Sequence, residues 1–468
     1  MDALIAPVSR LLANRSARQQ SRSSLWNSAH WGASANAEGH LELDGVDLAA
    51  LVQRSASPLL VVSRHRLHDD ARSFLDAVES SFPDASIAYS YKTNCVPGVL
   101  RELHSAGFLA EVISPYELWL ADQLRVPGDS IIVNGVNKDA AYLEHAVRLN
   151  VRSINIDHQN EIETLLEIAS RLGRKVNVAL RLKIDRKSHF GLDIHAGEAY
   201  QVASIVASHP EHLVFSGLHL HELADNSSAR NHTRLIGQAL DFAATIQREL
   251  RLETQTLDIG GGFSVPTTKV MARWEYARQR LFDVPANPPD PATGIDLPRY
   301  FAELRDFLVR QCDHHDIPVP RLTMEPGRCI TSQSHVLLSR VHSIKPNTAG
   351  PDYAMTDIGK ILTSYPCDYE YHQIFVANRM KANPDKLYHL MGRLCTSTDW
   401  LARNRYLPTL HRNDVLAVMD AGAYFTSYSS NFGFPRPAIL MLDQGKVSTL
   451  RQQESYEHLI AMDAGGKA

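Results

Sequence analysis

The sequence predicts an α/β protein, a (β/α)8 TIM barrel followed by a mostly β C-terminal domain. Three observations carry this expectation. From about residue 58, short apolar runs alternate with helical stretches, and repeated βα units build a parallel sheet. About eight such runs occupy roughly 260 residues, which suits a barrel. After about residue 320, apolar runs follow one another without long helices between them. A doubly wound open sheet is the structural alternative for the first part.

The elements follow in order. Residues 1–37 carry Arg10, Arg15, Arg18 and Arg22 among serines and alanines, with Asp2 the only acid before Glu38. This composition resembles an organelle transit peptide and lacks the apolar core of a secretory signal. It is expected to be an N-terminal extension, disordered or packed on the surface, of a cytoplasmic protein. Residues 38–57, through His40-Leu41-Glu42-Leu43, are expected to add a strand segment to the β domain. The barrel is placed at 58–320, with strands near 58–62, 87–91, 109–113, 131–133, 153–156, 176–182, 215–220 and 256–259. Helices such as 161–172 and 196–208 separate most of them. Pro285, Pro288, Pro289, Pro291 and Gly294 mark 267–299 as a loop or insertion. Residues 321–468 form the expected β-rich domain, with strands near 335–344, 415–419 and 439–442.

The bulk numbers exclude several classes. Of 468 residues, 44% are apolar and 21% charged, and the net charge is -4. No basic surplus argues for nucleic acid or an anionic membrane. No apolar run approaches the length of a membrane span. The five cysteines, Cys95, Cys312, Cys329, Cys367 and Cys395, are odd in number and widely spaced. They form no zinc-binding pair and read as reduced thiols.

In a barrel, chemistry gathers at the C-terminal ends of the strands. The polar residues there are Lys92, Glu111, Asn134, Asp157, Arg181, His219, His221, Gly260, Gly261, Gly262 and Glu325. A lysine at a barrel mouth either pairs, loses its proton, or forms a Schiff base with a carbonyl cofactor. Asp258-Ile259-Gly260-Gly261-Gly262-Phe263 runs from a strand into glycines whose N–H groups can approach a phosphate, or simply make a tight turn. Glu325-Pro326-Gly327-Arg328 puts an acid where it can pair with a protonated ring nitrogen, or close a salt-bridged turn. Gly217-Leu218-His219-Leu220-His221 places two histidines on one side of a strand. No third and fourth ligands are evident for a metal, and stacking on a flat cofactor suits one of them better.

Together these motifs resemble the fold-type III pyridoxal-phosphate decarboxylases, the family of diaminopimelate, ornithine and arginine decarboxylases. Tyr89-Ser90-Tyr91-Lys92-Thr93-Asn94 is similar to its cofactor-lysine motif, and the two-histidine strand, the glycine run and Glu325-Pro326-Gly327-Arg328 follow in the family's order. Cys395 through Asp399 is similar to its Cys-x-x-x-Asp motif, and Asp420-Ala421-Gly422-Ala423-Tyr424 to its Gly-Ala-Tyr motif. Asn431 and Pro435-Arg436-Pro437-Ala438 resemble the segment after it, and Leu43-Asp44-Gly45-Val46-Asp47-Leu48 the family's lead-in.

The resemblance implies an alanine-racemase-like barrel, pyridoxal 5'-phosphate as cofactor and removal of the α-carboxylate of an amino acid. Lys92 would hold the cofactor as a Schiff base, Glu325 would pair with the pyridine nitrogen and His221 would stack on the ring. Gly260, Gly261, Gly262, Gly327 and Arg328 would hold the phosphate, helped by Tyr424, with Arg181 and Glu117 in support. Cys395 would deliver the proton. It also implies a homodimer in which Cys395 and Tyr424 reach into the other subunit's site. Thr396 and Asp399 are the expected substrate contacts.

Several positions depart from the family pattern, and they concern substrate. The acid that usually follows the cysteine is Thr396. The serine that usually follows the two-histidine strand is replaced by Glu222-Leu223-Ala224-Asp225, with Ser227 or Ser228 as substitutes. No arginine lies between Arg340 and Arg379, where diaminopimelate decarboxylases carry one for the distal carboxylate. Glu111 stands where an aspartate is common. The Leu-Cys-Thr-x-x-Asp form is similar to decarboxylases of siderophore and other specialised pathways. A diamino acid or a conjugate of one is the expected substrate. The competing expectations are a pyridoxal-phosphate racemase, against which Glu325 argues, and a non-catalytic binding homologue, against which the presence of Lys92, Glu325 and Cys395 argues.

Overall fold

The computed structural model describes residues 2–463 apart from residues 223 and 365, with side chains described from residue 11 onward. The chain divides into two compact units, one of Ala71–Ser264 and Ile295–Arg328, the other of Met1–Asp70, Val265–Gly294 and Cys329–Ala468.

The first unit is a closed parallel barrel. Its eight strands are Ser86–Ser90, Leu109–Val112, Ile131–Val133, Ser153–Ile156, Val176–Lys183, Leu213–His219, Thr256–Asp258 and Arg321–Met324. Each pairs in parallel with the next. The ring closes where Thr323 and Met324 register with Ser86 and Ile87. Helices between them bury apolar stripes, as Ile162, Leu165, Ile168 and Ala169 do on Gln159–Leu172. Phe74, Phe263, Tyr300 and Phe301 pack edge-on in one aromatic cluster.

Eight strands are thus found, but not the eight expected. The apolar run at 58–62 is the strand Leu59–Ser63 of the other unit, paired with His335–Lys345 and Ala438–Asp443. The eighth barrel strand is Arg321–Met324. Both runs are buried on two faces, so pattern alone does not separate them. The exchange moves the expected boundaries at 58 and 320 and sets Glu325 directly after a barrel strand.

The second unit is built on a sheet in the order Trp400–Leu407, Lys386–Met391, Asp352–Thr356, His335–Lys345, Leu59–Ser63, Ala438–Asp443 and Lys446–Arg451. Ile374–Val376 and Val415–Val418 branch from it. Residues 38–57 do not add a strand to this sheet. Leu41–Leu43 pairs instead with Ala33–Ala35 and Val46–Asp47 in a separate three-stranded sheet. Leu41, Leu43, Leu48 and Val52 still join the core of Val336, Phe375 and Ala417.

The N-terminal extension, expected to be disordered or packed on the surface, begins as the helix Asp2–Ser21. Ala13, Ser16, Ala17 and Gln20 are buried along one face, a spacing that lets small side chains bring a helix close to its neighbour. Gln20 Nε2 donates to the Ala286 carbonyl at 2.8 Å, and its Oε1 accepts from the Tyr406 amide at 3.3 Å. The proline-rich insertion belongs to this second unit and contains the helix Arg273–Phe282.

Candidate active site

The barrel's C-terminal mouth gathers the predicted groups because each strand ends on a polar residue. Ser86–Ser90 runs into the short turn Tyr91–Thr93, which carries Lys92. Lys92 Nζ lies 3.5 Å from Glu111 Oε2, and Glu111 is fully buried. Ser90 Oγ also donates to that oxygen. Asn134 Nδ2 donates to Glu111 Oε1 at 2.9 Å and to Glu325 Oε1 at 2.5 Å. Asn155 Nδ2 in turn donates to Asn134 Oδ1 at 2.7 Å. A pair of buried amides, Asn134 and Asn155, therefore ties four strands together.

Glu325 sits 3.5 Å from His219 Nε2 and 3.6 Å from His221 Nδ1. Burial would raise its carboxyl, but His219, His221 and Lys92 hold it well below the usual carboxylate range. The neighbouring Asp258 goes the other way. Burial, then the charge on Glu325, raises it well above the ordinary value. Of these two acids, one keeps the charge and the other keeps the proton. Glu117 is also raised, to about 8, by burial and by Glu111. Burial holds the His219 ring below its ordinary value.

The glycines approach their neighbours too closely for any side chain. A Cβ on Gly261 would lie 2.3 Å from the Glu325 carbonyl, and one on Gly327 would lie 2.1 Å from Thr93 Oγ1. Gly260 and Gly262 have φ of 67° and 86°, a region glycine enters without strain. The Gly261 amide donates to His221 Nδ1 at 3.2 Å. Arg181 pairs with Asp157 at 3.4 Å and stacks on the Phe190 ring at 4.9 Å.

The segment after the histidines differs from the expected phosphate contact. Glu222 Oε1 accepts from the Ile184 and Asp185 amides, each at 2.7 Å, so this acid fastens the end of the Val176–Lys183 strand. Asn226 bridges to Phe263, donates its amide to the Gly262 carbonyl at 2.7 Å and accepts from Ser264. Exposed Ser227 and Ser228 follow directly beside the glycine run. Ser90, Asn155 and Asn226 were missed by the sequence reading. A polar residue inside or just after a buried strand was their only signal.

Cys395, Thr396, Asp399 and Tyr424 belong to the β unit. Cys395 is exposed. Thr396 Oγ1 lies 3.1 Å from Thr398 Oγ1. Asp399, expected at the substrate, is buried and committed to backbone. It accepts from the Leu394 amide at 2.6 Å and from the Lys360 amide at 2.7 Å. It therefore anchors the cysteine loop. Tyr424 has φ of 68°, an uncommon conformation for a bulky residue and a feature of functional sites. Asp420 orders the turn before it by accepting from Trp31 Nε1 at 3.0 Å and Thr267 Oγ1 at 2.8 Å.

His219, His221 and Glu325 offer donor atoms within 4.8 Å of one another, so the third member of the trio comes from the last barrel strand. Two of the three already accept hydrogen bonds, from Gly261 and Asn134. The trio suits a planar cationic ring better. Glu325 Oε2 is buried without a hydrogen-bond partner among the described residues, which is the acceptor a pyridinium N–H needs. The residues present thus fit pyridoxal phosphate.

A parallel barrel with a mouth lysine, a charged acid and a glycine turn defines a pyridoxal-phosphate enzyme. Residues 69–332 match the family described as pyridoxal-dependent decarboxylase, pyridoxal binding domain, and the chain belongs to that family. It is 29% identical to the diaminopimelate decarboxylase of Archaeoglobus fulgidus over 442 residues, 91% of this chain and 97% of that protein. It is 28% identical to that of Methanocaldococcus jannaschii over 450 residues, 91% and 95% of the two chains. A crystal structure of the M. jannaschii diaminopimelate decarboxylase superposes with a TM-score of 0.79 at 26% identity, covering 92% of this chain and 97% of that one.

Proposed function

We propose that this decarboxylase removes the α-carboxylate of a diamino acid, with Lys92, Glu325 and Cys395 carrying the reaction. The observation that carries the reading is the charged Glu325, buried at one mouth with Lys92 and the glycine turn. Pyridoxal phosphate, when bound, supplies an electron sink conjugated to the substrate's Cα.

Lys92 Nζ is the amine that would hold the cofactor, and Glu111, at 3.5 Å, is a carboxylate placed to accept or return a proton at that amine. Glu325, which keeps its charge, would pair with the pyridine nitrogen of a bound cofactor and favour its protonated form. Asn134 fixes the orientation of the Glu325 carboxylate. His221, partly exposed beside Gly260 and Gly261, offers a flat face for stacking. Gly260, Gly261, Gly262, Gly327 and Arg328 would bind the phosphate, with Ser227 or Ser228 replacing the family serine and Tyr424 assisting. Arg181 would orient substrate and cofactor from the next strand. Cys395 is an exposed thiol on an anchored loop and donates the proton that replaces carbon dioxide. Thr396, beside it, would face the substrate's side chain.

In this reading the active enzyme is a homodimer. Each β unit lends Cys395 and Tyr424 to the partner's barrel. The compartment we propose is the cytoplasm. The test is carbon dioxide release by the cofactor-loaded protein from meso-diaminopimelate, lysine, ornithine and arginine, and from acyl conjugates of diamino acids. Release from at least one, with an amine as product, is the expected result. A D-amino acid as sole product would replace this reading with racemisation.

A further inference from the structure

Between the helix Asp2–Ser21 and the proline-rich insertion lies a pocket of about 1020 Å³, all of it within the second unit. Small-molecule pockets run to roughly 300–1,000 Å³, and the catalytic reading uses none of the residues in this one. Arg15, Arg18 and Arg22 line one side of it. Their spacing, three and then four residues, puts them on one face of the helix. All three are exposed, while Ala13, Ser16, Ala17 and Gln20 are buried on another face. Gln20 Nε2 donates to the Ala286 carbonyl at 2.8 Å, so the arginines stand on a helix anchored to the insertion.

Like charges at these spacings destabilise a helix unless opposite charge offsets them. Among the described residues none of the three arginines pairs with a carboxylate. The negative end of the helix dipole favours Arg18 and Arg22, but Arg15 lies more than a turn before it. Asp290 is the one acid in the lining, and its Oδ1 accepts from the Ala292 amide at 3.0 Å. The pocket therefore sets three guanidinium groups against one carboxylate already engaged with backbone. Guanidinium groups match phosphate oxygens in two-point geometry. Pro288 and Pro289, half-buried, add apolar surface without N–H donors to the lining. A long polyanion suits this place less well, since the chain carries a net charge of -4 and Asp290 stands in the pocket.

We propose that this pocket binds a small molecule carrying two or three linked phosphates, with Arg15, Arg18 and Arg22 on the phosphates and Pro288 and Pro289 beside the group they carry. The site is separate from the decarboxylase reading and does not depend on it. Calorimetric titration of the cofactor-loaded protein, whose own phosphate site is then filled, tests it with metal-free tripolyphosphate and adenosine triphosphate. The expected result is saturable binding of at least one of them. Arg15→Gln and Arg18→Gln should each weaken it at least tenfold, with circular dichroism and cofactor absorbance unchanged.

The two probes also distinguish the source of the phosphates. Tighter binding of adenosine triphosphate would assign the pocket to a nucleotide, with Pro288 and Pro289 beside its base. Equal or tighter binding of tripolyphosphate would assign it to a bare polyphosphate. Binding of neither probe, or binding that both folded variants leave unaltered, would overturn the site. Tighter binding of single-stranded RNA or of anionic lipid vesicles, weakened by the same substitutions, would overturn its assignment to a small molecule.

Discussion

Asn134 Nδ2 lies 2.5 Å from Glu325 Oε1, so a neutral amide holds the charged carboxylate at the barrel mouth. The same nitrogen reaches Glu111. Replacing Asn134 with Asp would remove the donor and put a third carboxylate between the two. Glu325 should then hold its charge less well. A hydrogen bond to a charged group is worth about 1.5–3 kcal/mol, so kcat should fall roughly ten- to a hundredfold. Asn134→Asp with wild-type kcat and an unchanged cofactor spectrum would show that the amide does not set the state of Glu325.

Lys92→Ala should bind cofactor without the visible absorbance of a lysine-linked form and should lose nearly all turnover. Lys92 Nζ is the amine at this mouth that faces Glu111. Glu111→Gln keeps the shape and removes the charge, and should slow the step in which Lys92 regains or gives up a proton. Absorbance spectra and single-turnover rates read both changes. A yellow, active Lys92→Ala protein would dismiss this role.

Asp399→Asn should lower activity through the cysteine loop. It weakens acceptance from Leu394 and Lys360, and Gly359 and Gly392 press so close that a Cβ on either would sit about 2 Å from the carboxylate. Cys395→Ala should retain cofactor and fold while releasing carbon dioxide slowly or placing the proton on the wrong face. Deuterium incorporation and product stereochemistry distinguish the two. If Asp399 touched substrate instead, Asp399→Asn would raise KM while leaving the reactivity of Cys395 toward a thiol reagent unaltered.

Acid should destabilise both units. Burial lowers the His335 ring from 6.5 to about 4, and His232 likewise falls to about 4. A folded-state value below the unfolded one means the unfolded chain takes up the proton first. The stabilisation is therefore complete above about pH 6.5 and lost as pH falls toward 4, up to about 3 kcal/mol for each ring. Thermal midpoints measured from pH 7 to pH 4.5 should fall steeply, and more shallowly in His335→Gln. Equal slopes in the two proteins would remove His335 from the account.

Much of the site was legible because each of its chemical groups sits in a short local motif. Lys92, the glycine run and Glu325 stand at fixed offsets from the apolar strands that carry them. The swap of Leu59–Ser63 for Arg321–Met324 was not legible, since the strands each run pairs with lie far away in the chain. Asp399 was misread for a related reason. In sequence, an aspartate four residues after Cys395 looks the same whether it faces substrate or the amides of Leu394 and Lys360.

By itself the sequence determined the barrel class and placed Lys92, Glu325 and the glycine run at the ends of strands, because strand period and glycine conformation are local properties. Only the tertiary structure decided that Asn134 joins Glu111 to Glu325, that Glu325 rather than Asp258 carries the charge, and that Arg15, Arg18 and Arg22 share a pocket with Pro288 and Pro289. Those outcomes depend on burial and on distances between residues far apart in the chain, which set the cost of every charge and which no local pattern encodes.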